Sequence, residues 1–387
     1  MRGVCAVFLD EDGAFISFGV IKKGSCVFLQ ELKVPLLYKN NSIADCLREN
    51  LDIFAQKIKE IQKKYSFNVE KVFLEMPYRL CGKEIVEEIF PLKRRKKITL
   101  GDISFIKKRI EDKFLSWDDS CIHNIVLSCE IEGSNYQTIP LGVWAQKIKL
   151  QSLLIWVKEK IYKDIEDVFD NLDINFAGFV ASAVSIFSTA FAPSKVYTGI
   201  QALQAAVSID YTQSRFICAD KNGFIYADEF DFGLKKIIEE LSKKFIFPFA
   251  LAQEVFERYI SFKEVPYFKE ITVKKEEGYM NLSTQTLNSF AKDYIAGKIK
   301  HILSRVKDKT QSDDFVISFS GRLNAKEGFY GFLKDYIFTE LKPPAYKPAI
   351  SSSSGCLHYG VSPFLDNDCK RARPFLQRIL DVYREYF

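Results

Sequence analysis

The sequence repeats one order of elements at two places about 200 residues apart. Each copy reads strand, acidic turn, strand, glycine turn, strand and amphipathic helix. The predicted strands lie at 3–9, 14–21 and 26–34 in the first copy, and at 205–209, 215–219 and 224–230 in the second. The first strand of each copy ends in an aspartate, Asp10 or Asp210. Hairpins followed by helices are common, so coincidence is the alternative, but the shared aspartate favours a duplicated α/β chain with two lobes.

The length and composition exclude several classes of protein. A chain of 387 residues suggests two or three structural units, and a net charge of +5 is too small for a dedicated nucleic-acid binder. Nine cysteines without a C-x-x-C pair, and three scattered histidines, predict no metal centre and a reducing cytoplasm. The uncharged run 174–194 has the length of a membrane span, but its serines, asparagine and proline favour a buried core segment.

A third element completes the pattern. An apolar strand over 315–319 leads into the tight turn Ser320-Gly321-Arg322, and a short helix follows Gly328. Two facing copies with such a turn resemble the actin-like ATPases, which belong to the actin/Hsp70/sugar-kinase superfold. In that superfold the paired first turns bind the nucleotide phosphates, and a glycine turn lies beside the adenosine. The resemblance therefore implies an actin-like α/β fold.

Between the two copies lies a segment that ordinary actins lack at this position. It resembles the inserted small α+β domain of FtsA, the actin-like cell-division protein, at Ile98, Thr99, Asp102, Ile122, Glu132, Gly133, Pro140, Gly142 and Ile148. The helix containing residues 252–259 is also similar to an FtsA helix, so the resemblance spans essentially the whole chain. The nearest relative of that family is PilM, the actin-like protein of type IV pilus assembly.

The resemblance implies the following domain organisation. The first lobe comprises 1–96 and 173–204, with the inserted domain at 97–172 between them. The second lobe has its core at 205–232 and 313–344 and a smaller subdomain at 233–312. Residues 345–369 return to the first lobe and form a tether to a terminal helix at 370–387.

The terminal helix has the pattern of a lipid-binding segment. Apolar residues follow a helical stripe, and five basic residues stand against two acidic ones over 370–387. A helix docked on the core is the alternative, but the position at the end of the chain matches the membrane-targeting helix of FtsA. The predicted membrane-binding residues are Arg373, Phe375, Leu376, Arg378, Ile379, Leu380, Tyr383, Tyr386 and Phe387.

The resemblance also places a nucleotide site between the lobes. Its candidate residues are Asp10, Asp12, Gly13, Asp210, Thr212, Gln213, Ser214, Gln253, Ser320, Gly321 and Arg322. Phosphate-binding turns need glycine because backbone amides must approach the phosphates closely. Here Asp12 stands where the family has glycine, and the second turn, 210–215, contains no glycine. ATP and Mg²⁺ are the implied cofactors, with Asp10 and Asp210 able to hold Mg²⁺ through water, but the altered turns predict weak or absent ATP binding and no useful hydrolysis. No catalytic constellation is predicted.

A run of five basic residues, Lys93 to Lys97, precedes the inserted domain. Such a run could contact nucleic acid or anionic lipid. A solvated loop leading into the inserted domain is the favoured interpretation.

The resemblance implies a scaffold that links an FtsZ-type polymer to the cytoplasmic face of the cell membrane at the division site. Its expected partners are that polymer, other division proteins, further copies of itself through the actin-like lobes, and an anionic membrane surface, but no nucleic acid. Two alternatives remain open from the sequence: a PilM-like pilus assembly protein, and an active actin-like ATPase or sugar-kinase relative.

Overall fold

The structure is a computed structural model of the chain. It describes residues 2–22, 25–36, 42–136, 140–191, 203–220, 223–263, 269–275, 278–337, 339–345 and 351–361. The strands in chain order are β1 (Arg2–Asp10), β2 (Gly13–Lys22), β3 (Ser25–Val34), β4 (Asn68–Met76), β5 (Gly82–Lys97), β6 (Asp119–Ile131), β7 (Ser134–Tyr136), β8 (Trp144–Lys158), β9 (Asn175–Ala181), β10 (Gln204–Ile209), β11 (Ser214–Asp220), β12 (Gly223–Phe230), β13 (Glu270–Lys275), β14 (Gly278–Ser283), β15 (Val316–Gly321) and β16 (Glu340–Leu341). The helices are α1 (Ile43–Glu49), α2 (Leu51–Tyr65), α3 (Leu100–Phe114), α4 (Glu159–Asp170), α5 (Ser182–Phe191), α6 (Leu234–Phe245), α7 (Phe249–Tyr259), α8 (Thr284–Thr310) and α9 (Phe329–Lys334).

The two predicted copies form two five-stranded sheets with the same topology. The first has the order β3-β2-β1-β4-β9, and the second has the order β12-β11-β10-β15-β16. In each sheet the first three strands of the copy form an antiparallel meander, and two further strands extend it in parallel. The predicted duplication is therefore confirmed.

Turn chemistry explains where the first meander reverses. β1 and β2 meet at a two-residue turn, because Asp10 pairs with Gly13 across Glu11 and Asp12. Gly13 has a φ of 150°, and a Cβ there would lie 2.8 Å from the carbonyl oxygen of Val34. Glycine at this position lets β3 pass close to the turn.

The helix predicted after the first meander is two helices. Its apolar stripe runs on through both, but the helix breaks at Asn50, which is buried. The Asn50 amide N–H bonds back to the Leu47 carbonyl at 3.3 Å, and its side chain donates to the Cys46 carbonyl at 2.7 Å. These bonds end α1 at Glu49, and α2 begins at Leu51.

The segment between β4 and β9 forms an antiparallel sheet in the order β5-β8-β6-β7. One face packs on α3 through a core that includes Val86, Ile106 and Leu150. The opposite face joins the core of the first lobe through Leu153 and Ile155. The inserted unit is therefore bound to the first lobe by a shared apolar layer.

The sheet differs from the prediction at its first strand. The prediction began the inserted domain at residue 97, whereas β5 pairs with β8 from Gly82 onward. The basic run 93–97 is exposed except for the half-buried Lys96, but the loop interpretation is wrong because the run lies within β5.

The described part of the uncharged run, up to residue 191, is mostly buried, as predicted; Asn175 is exposed, and Ala177 and Gly178 are half-buried. The run forms β9 and α5, and all ten residues of α5 are buried. α5 packs against β10, β11 and β15 and so lies between the two lobes. Among the described residues, no helix is both long and apolar enough to cross a bilayer. The predicted terminal helix, 370–387, lies outside the described residues.

Candidate functional site

The turns that follow β1 and β10 face each other across the cleft between the lobes. Asp10, at the end of β1, accepts a hydrogen bond from the backbone amide of Tyr211 at 3.0 Å and one from the Thr212 hydroxyl at 3.2 Å. Its other local donor is the Glu11 amide at 2.7 Å. Burial, followed by the charge of Asp210, raises the pKa of Asp10 to about 6. The Tyr211 amide of the second turn therefore already donates its hydrogen bond to Asp10 of the first lobe.

Arg215 lies at the centre of a buried ionic network. Its guanidinium donates to Asp210 Oδ2 from Nε at 3.1 Å and from Nη2 at 2.6 Å. Nη1 donates to Glu75 Oε1 at 2.8 Å, and Nη2 also reaches the Ser352 hydroxyl at 3.3 Å. Ser352 in turn donates to the same Glu75 oxygen at 2.8 Å. Because Glu75 ends β4 and Arg215 begins β11, this network joins the two lobes.

In this network the single guanidinium of Arg215 is shared by two carboxylates, those of Asp210 and Glu75. The Arg215 and Glu75 side chains are only 4% and 1% exposed, and an unpaired charge at that depth is costly. Burial alone lowers the pKa of Arg215, but Asp210 and Glu75 outweigh it and raise that pKa above its ordinary value. Ser208 donates to the second Asp210 oxygen at 2.9 Å, so both Asp210 oxygens accept hydrogen bonds from the protein.

Asp12 forms a second bridge where the resemblance expects a glycine. Its Oδ2 lies 2.5 Å from Arg322 Nη2, which belongs to the second lobe, and 2.5 Å from Lys33 Nζ of β3. The Arg322 guanidinium also lies 4.8 Å from the ring centroid of Phe15. The negative charge of Asp12 is therefore paired with two cations of the protein itself.

Serines from the segment before residue 355 line the first-lobe side of the cleft. Ser353 shares hydrogen bonds of 2.7 Å with Ser17 and with Ser351. Glu31 lies against Ser351 and Ser353, and burial raises its pKa to about 8, although the serine bonds and Arg322 act in the opposite direction. This part of the chain therefore belongs to the cleft, which the sequence did not reveal.

The third predicted turn lies at the end of β15, where two strands of the second lobe, β10 and β15, pack closely together. Gly321 has a φ of 93°, and a Cβ there would lie 2.4 Å from the Ile209 carbonyl oxygen. Ser320 donates to the Val207 carbonyl at 3.3 Å. The glycine is thus required for the close packing of β15 on β10.

Most of the predicted site residues converge on this cleft. Asp10, Asp12, Gly13, Asp210, Thr212, Gln213, Ser214, Ser320, Gly321 and Arg322 lie at the facing turns and strand ends. Gln253 lies on α7, where it donates to Glu257 at 3.0 Å. No hydrogen bond or ion pair joins Gln253 to the others within the described part of the chain.

Sequence reasoning missed the residues that bind these turns to each other. Glu75 lies within the buried run Val72–Met76 of β4, and Arg215 directly precedes the buried run Phe216–Ala219 of β11. A lone buried charge in such a strand needs a partner, and that signal could have indicated both residues. Their pairing could not be read from the sequence because they lie 140 residues apart.

The arrangement does not fit Mg-ATP as it stands. The Tyr211 amide, both oxygens of Asp10 and both oxygens of Asp210 already take part in hydrogen bonds within the protein. The guanidinium of Arg215 holds Asp210, one of the carboxylates that the sequence assigned to Mg²⁺. Across the residues that the structure describes, no group of three or more His, Cys, Asp or Glu residues could hold a metal ion.

Comparison with solved structures identifies the fold. The chain matches the PilM-PilN type IV pilus biogenesis complex at a TM-score of 0.54 and 9% identity, over 94% of this chain and 98% of the other. It matches the ethanolamine utilization protein EutJ from Carboxydothermus hydrogenoformans at a TM-score of 0.51 and 9% identity, over 92% of this chain and 89% of the other. It matches a diol dehydratase-reactivating factor in nucleotide-free form at a TM-score of 0.54 and 7% identity, over 95% of this chain and 100% of the other.

The chain therefore has the actin-like ATPase fold, as the sequence predicted. No protein-family model matches its sequence, and no curated protein matches it either. At these identities the structural likeness identifies the fold alone, so function has to be argued from the cleft.

Proposed function

We propose that this chain is an actin-like scaffold whose lobes are joined by its own side chains rather than by a nucleotide. The observation that carries the proposal is Arg215, which is buried between Asp210 of its own lobe and Glu75 of the other. Asp10 and Asp12 add two further bridges between the lobes. Since fold does not define function, the altered cleft is the feature that separates this chain from a working ATPase.

The energetic cost of opening this cleft supports the same conclusion. A nucleotide phosphate that takes the Tyr211 amide would have to separate it from Asp10. A hydrogen bond to a charged group contributes roughly 1.5–3 kcal/mol. Micromolar affinity corresponds to about 8 kcal/mol of binding free energy, so that rearrangement would consume part of it.

Calorimetric titration with Mg-ATP tests this proposal directly. We expect no saturable heat in the micromolar range and no phosphate release above background. Micromolar affinity would overturn the proposal, and phosphate release would instead support an active ATPase or sugar-kinase relative.

The scaffold role that fits the whole sequence best is of the FtsA type. In this role the terminal segment 370–387 binds the inner face of the cell membrane, and the body binds an FtsZ-type polymer at the division site. Its partners are that polymer, other division proteins and further copies of the chain. A single amphipathic helix binds lipid weakly, and lateral association of the actin-like bodies would raise avidity without new contacts.

Liposome co-sedimentation tests the membrane role. The full chain is expected to pellet with anionic vesicles, and a chain ending at Asp368 is expected to pellet far less. Equal pelleting of the two proteins would remove the terminal segment from the proposal.

A PilM-type role is the second candidate, and the likeness to the PilM-PilN complex favours it. A protein of this type would bind a segment of a membrane partner rather than a division polymer. Binding assays with an FtsZ-type polymer and with a PilN-type peptide separate the two roles, because only one of the two is expected to bind.

A further inference from the structure

Basic and apolar side chains lie together at one end of the inserted sheet. The group comprises Lys93–Lys97, Leu100, Leu141 and Trp144, and is called the basic–aromatic tip below. Backbone bonds bring its two segments together: the Ile98 amide donates to the Val143 carbonyl at 2.9 Å, and the Gly142 amide donates to the Ile98 carbonyl at 2.9 Å. Lys97 pairs with Trp144 across the strands, and its Nζ lies 5.8 Å from the centroid of that ring.

A bulge in β5 presents the basic side chains. Pro91 pairs with Lys147 and Lys96 pairs with Ala145, so residues 92–95 of β5 lie opposite the single residue Gln146. The extra residues must leave the ladder, and a bulge at a sheet edge redirects side chains in this way. Lys93, Arg94 and Arg95 are all exposed.

The tip keeps an excess of positive charge. Two of its basic residues have acidic partners: Lys96 lies 2.6 Å from Asp102, and Arg95 lies 3.5 Å from Glu132. Within the described residues, no ion pair joins Lys93, Arg94 or Lys97 to an acid. Three cationic side chains at this end of the sheet therefore remain available to an anionic surface.

The apolar members of the tip are exposed to solvent. Trp144 is 54% exposed, Leu141 is 47% exposed and Leu100 is 45% exposed. The core between α3 and the sheet is already filled by residues such as Ile103 and Ile148. The exposed side chains are therefore additional to the core, and grouped apolar exposure of this kind marks an interaction site.

We propose that the basic–aromatic tip binds an anionic lipid surface. Arginine and lysine attract anionic headgroups, tryptophan is enriched at the membrane interface, and leucine gains by leaving water for the acyl chains. Nucleic acid would use the cations and stack on Trp144, but it would leave Leu100 and Leu141 without a favourable environment. A lipid surface provides a favourable environment for all three kinds of side chain: the basic residues, the tryptophan and the leucines.

This inference extends the proposed membrane role but rests on different residues. Lipid binding by the terminal segment and lipid binding by the tip can be tested separately, because the two regions are far apart in the sequence. Two weak lipid contacts on one chain bind far more strongly than either alone when both reach the same surface.

The test uses the full chain and sedimentation with vesicles of phosphatidylcholine, with or without phosphatidylglycerol. The variant R94E/K97E reverses two charges of the tip. The matched control K59E/K63E makes the same change in net charge on the exposed face of α2. We expect R94E/K97E to weaken binding to the anionic vesicles at least about tenfold and the control to weaken it much less. Equal losses would show a general charge effect and overturn the proposal.

A second readout locates the contact. Vesicles with brominated acyl chains should quench the emission of the full chain, and the variant W144F should lose that quenching. If the full chain pellets while W144F is quenched as strongly as the parent, the tip is not at the membrane and the proposal fails, whereas the terminal segment remains supported. Tip-dependent binding of a short nucleic acid with no lipid binding would also overturn it.

Discussion

At the scale of single residues, the cleft holds more acidic than basic charge. Its buried or half-buried carboxylates are Asp10, Asp12, Glu31, Glu75 and Asp210, and its cations are Lys33, Arg215 and Arg322. Arg215 and Arg322 each bind a carboxylate at close range. The carboxyl groups of Asp10 and Glu31 are left with hydroxyl and amide donors, and burial raises the pKa of both.

Because of Glu31, the stability of the folded protein depends on pH. Its pKa rises from 4.5 to about 8 on folding, so the folded state binds a proton that the unfolded state has lost. The contribution of this group to stability is therefore fully present below about pH 4.5 and is lost as the pH rises through about 8. The variant E31Q keeps the neutral shape and cannot ionise.

We expect E31Q to be more stable than the parent at pH 9 by on the order of 4 kcal/mol, and at pH 5 by less than about 1 kcal/mol. Urea denaturation of both proteins at the two pH values measures the difference. Other titrating groups are common to both proteins and cancel in the comparison. A difference that does not change between pH 5 and pH 9 would contradict the raised pKa of Glu31.

At the scale of elements, turn chemistry and apolar periodicity predicted most of the framework. The Asp-Gly turn at 12–13 indicated the first hairpin, and short apolar runs separated by turns predicted both meanders. In the inserted unit, Glu132 and Gly133 form the turn between β6 and β7, with φ values of 49° and 86°. Turns of this kind can be predicted from the sequence because the residues that form them are adjacent in the chain.

The elements that were missed depend on partners distant in sequence. β5 carries many charged residues and little alternation, so only its pairing with β8 makes it a strand. The break at Asn50 interrupts a continuous apolar stripe, and the stripe cannot reveal it because both helices bury the same face. An apolar pattern shows which face of an element is buried. It does not show the tertiary contacts that make β5 a strand or break the helix at Asn50.

The start of α3 offers a test of a predicted element. Thr99 and Asp102 form a reciprocal capping box: the Asp102 amide donates to the Thr99 hydroxyl at 3.2 Å, and the Thr99 amide donates to the Asp102 carboxylate at 3.1 Å. The variant T99A removes the hydroxyl and should reduce the free energy of unfolding by about 1 kcal/mol. Ser104, exposed in the middle of the same helix, supplies the control variant S104A, which should cost nothing. Equal stability of T99A and the parent in chemical denaturation would contradict this role of the cap.

At the scale of the whole molecule, the lobes are joined by contacts between residues far apart in sequence. Asp10 reaches Thr212 over 202 residues, and Asp12 reaches Arg322 over 310 residues. The sequence predicted that these turns would face each other, because the duplicated fold requires it. It could not predict that they would bind each other, since that depends on the positions of individual side chains in the closed cleft.

Arg215 is the residue on which this closed cleft most depends. The variant R215M leaves Asp210 and Glu75 buried without a cation, and we expect it to reduce the free energy of unfolding by roughly 3–5 kcal/mol. The variant R215M/E75Q/D210N removes the uncompensated charges as well, and should recover most of that loss. Chemical denaturation of the parent and both variants measures the two effects.

A matched control separates this buried network from an ordinary contact between the lobes. Lys235 and Glu11 also bridge the lobes, at 2.8 Å, but both side chains are exposed. The variant K235M should therefore cost less than about 1 kcal/mol. Hydrogen exchange at the Tyr211 amide should accelerate strongly in R215M and little in K235M, because only the buried network keeps the facing turns together. If the two variants lose the same stability and exchange alike, Arg215 does not hold the lobes closed, and a cleft able to open for a ligand becomes the better description of this protein.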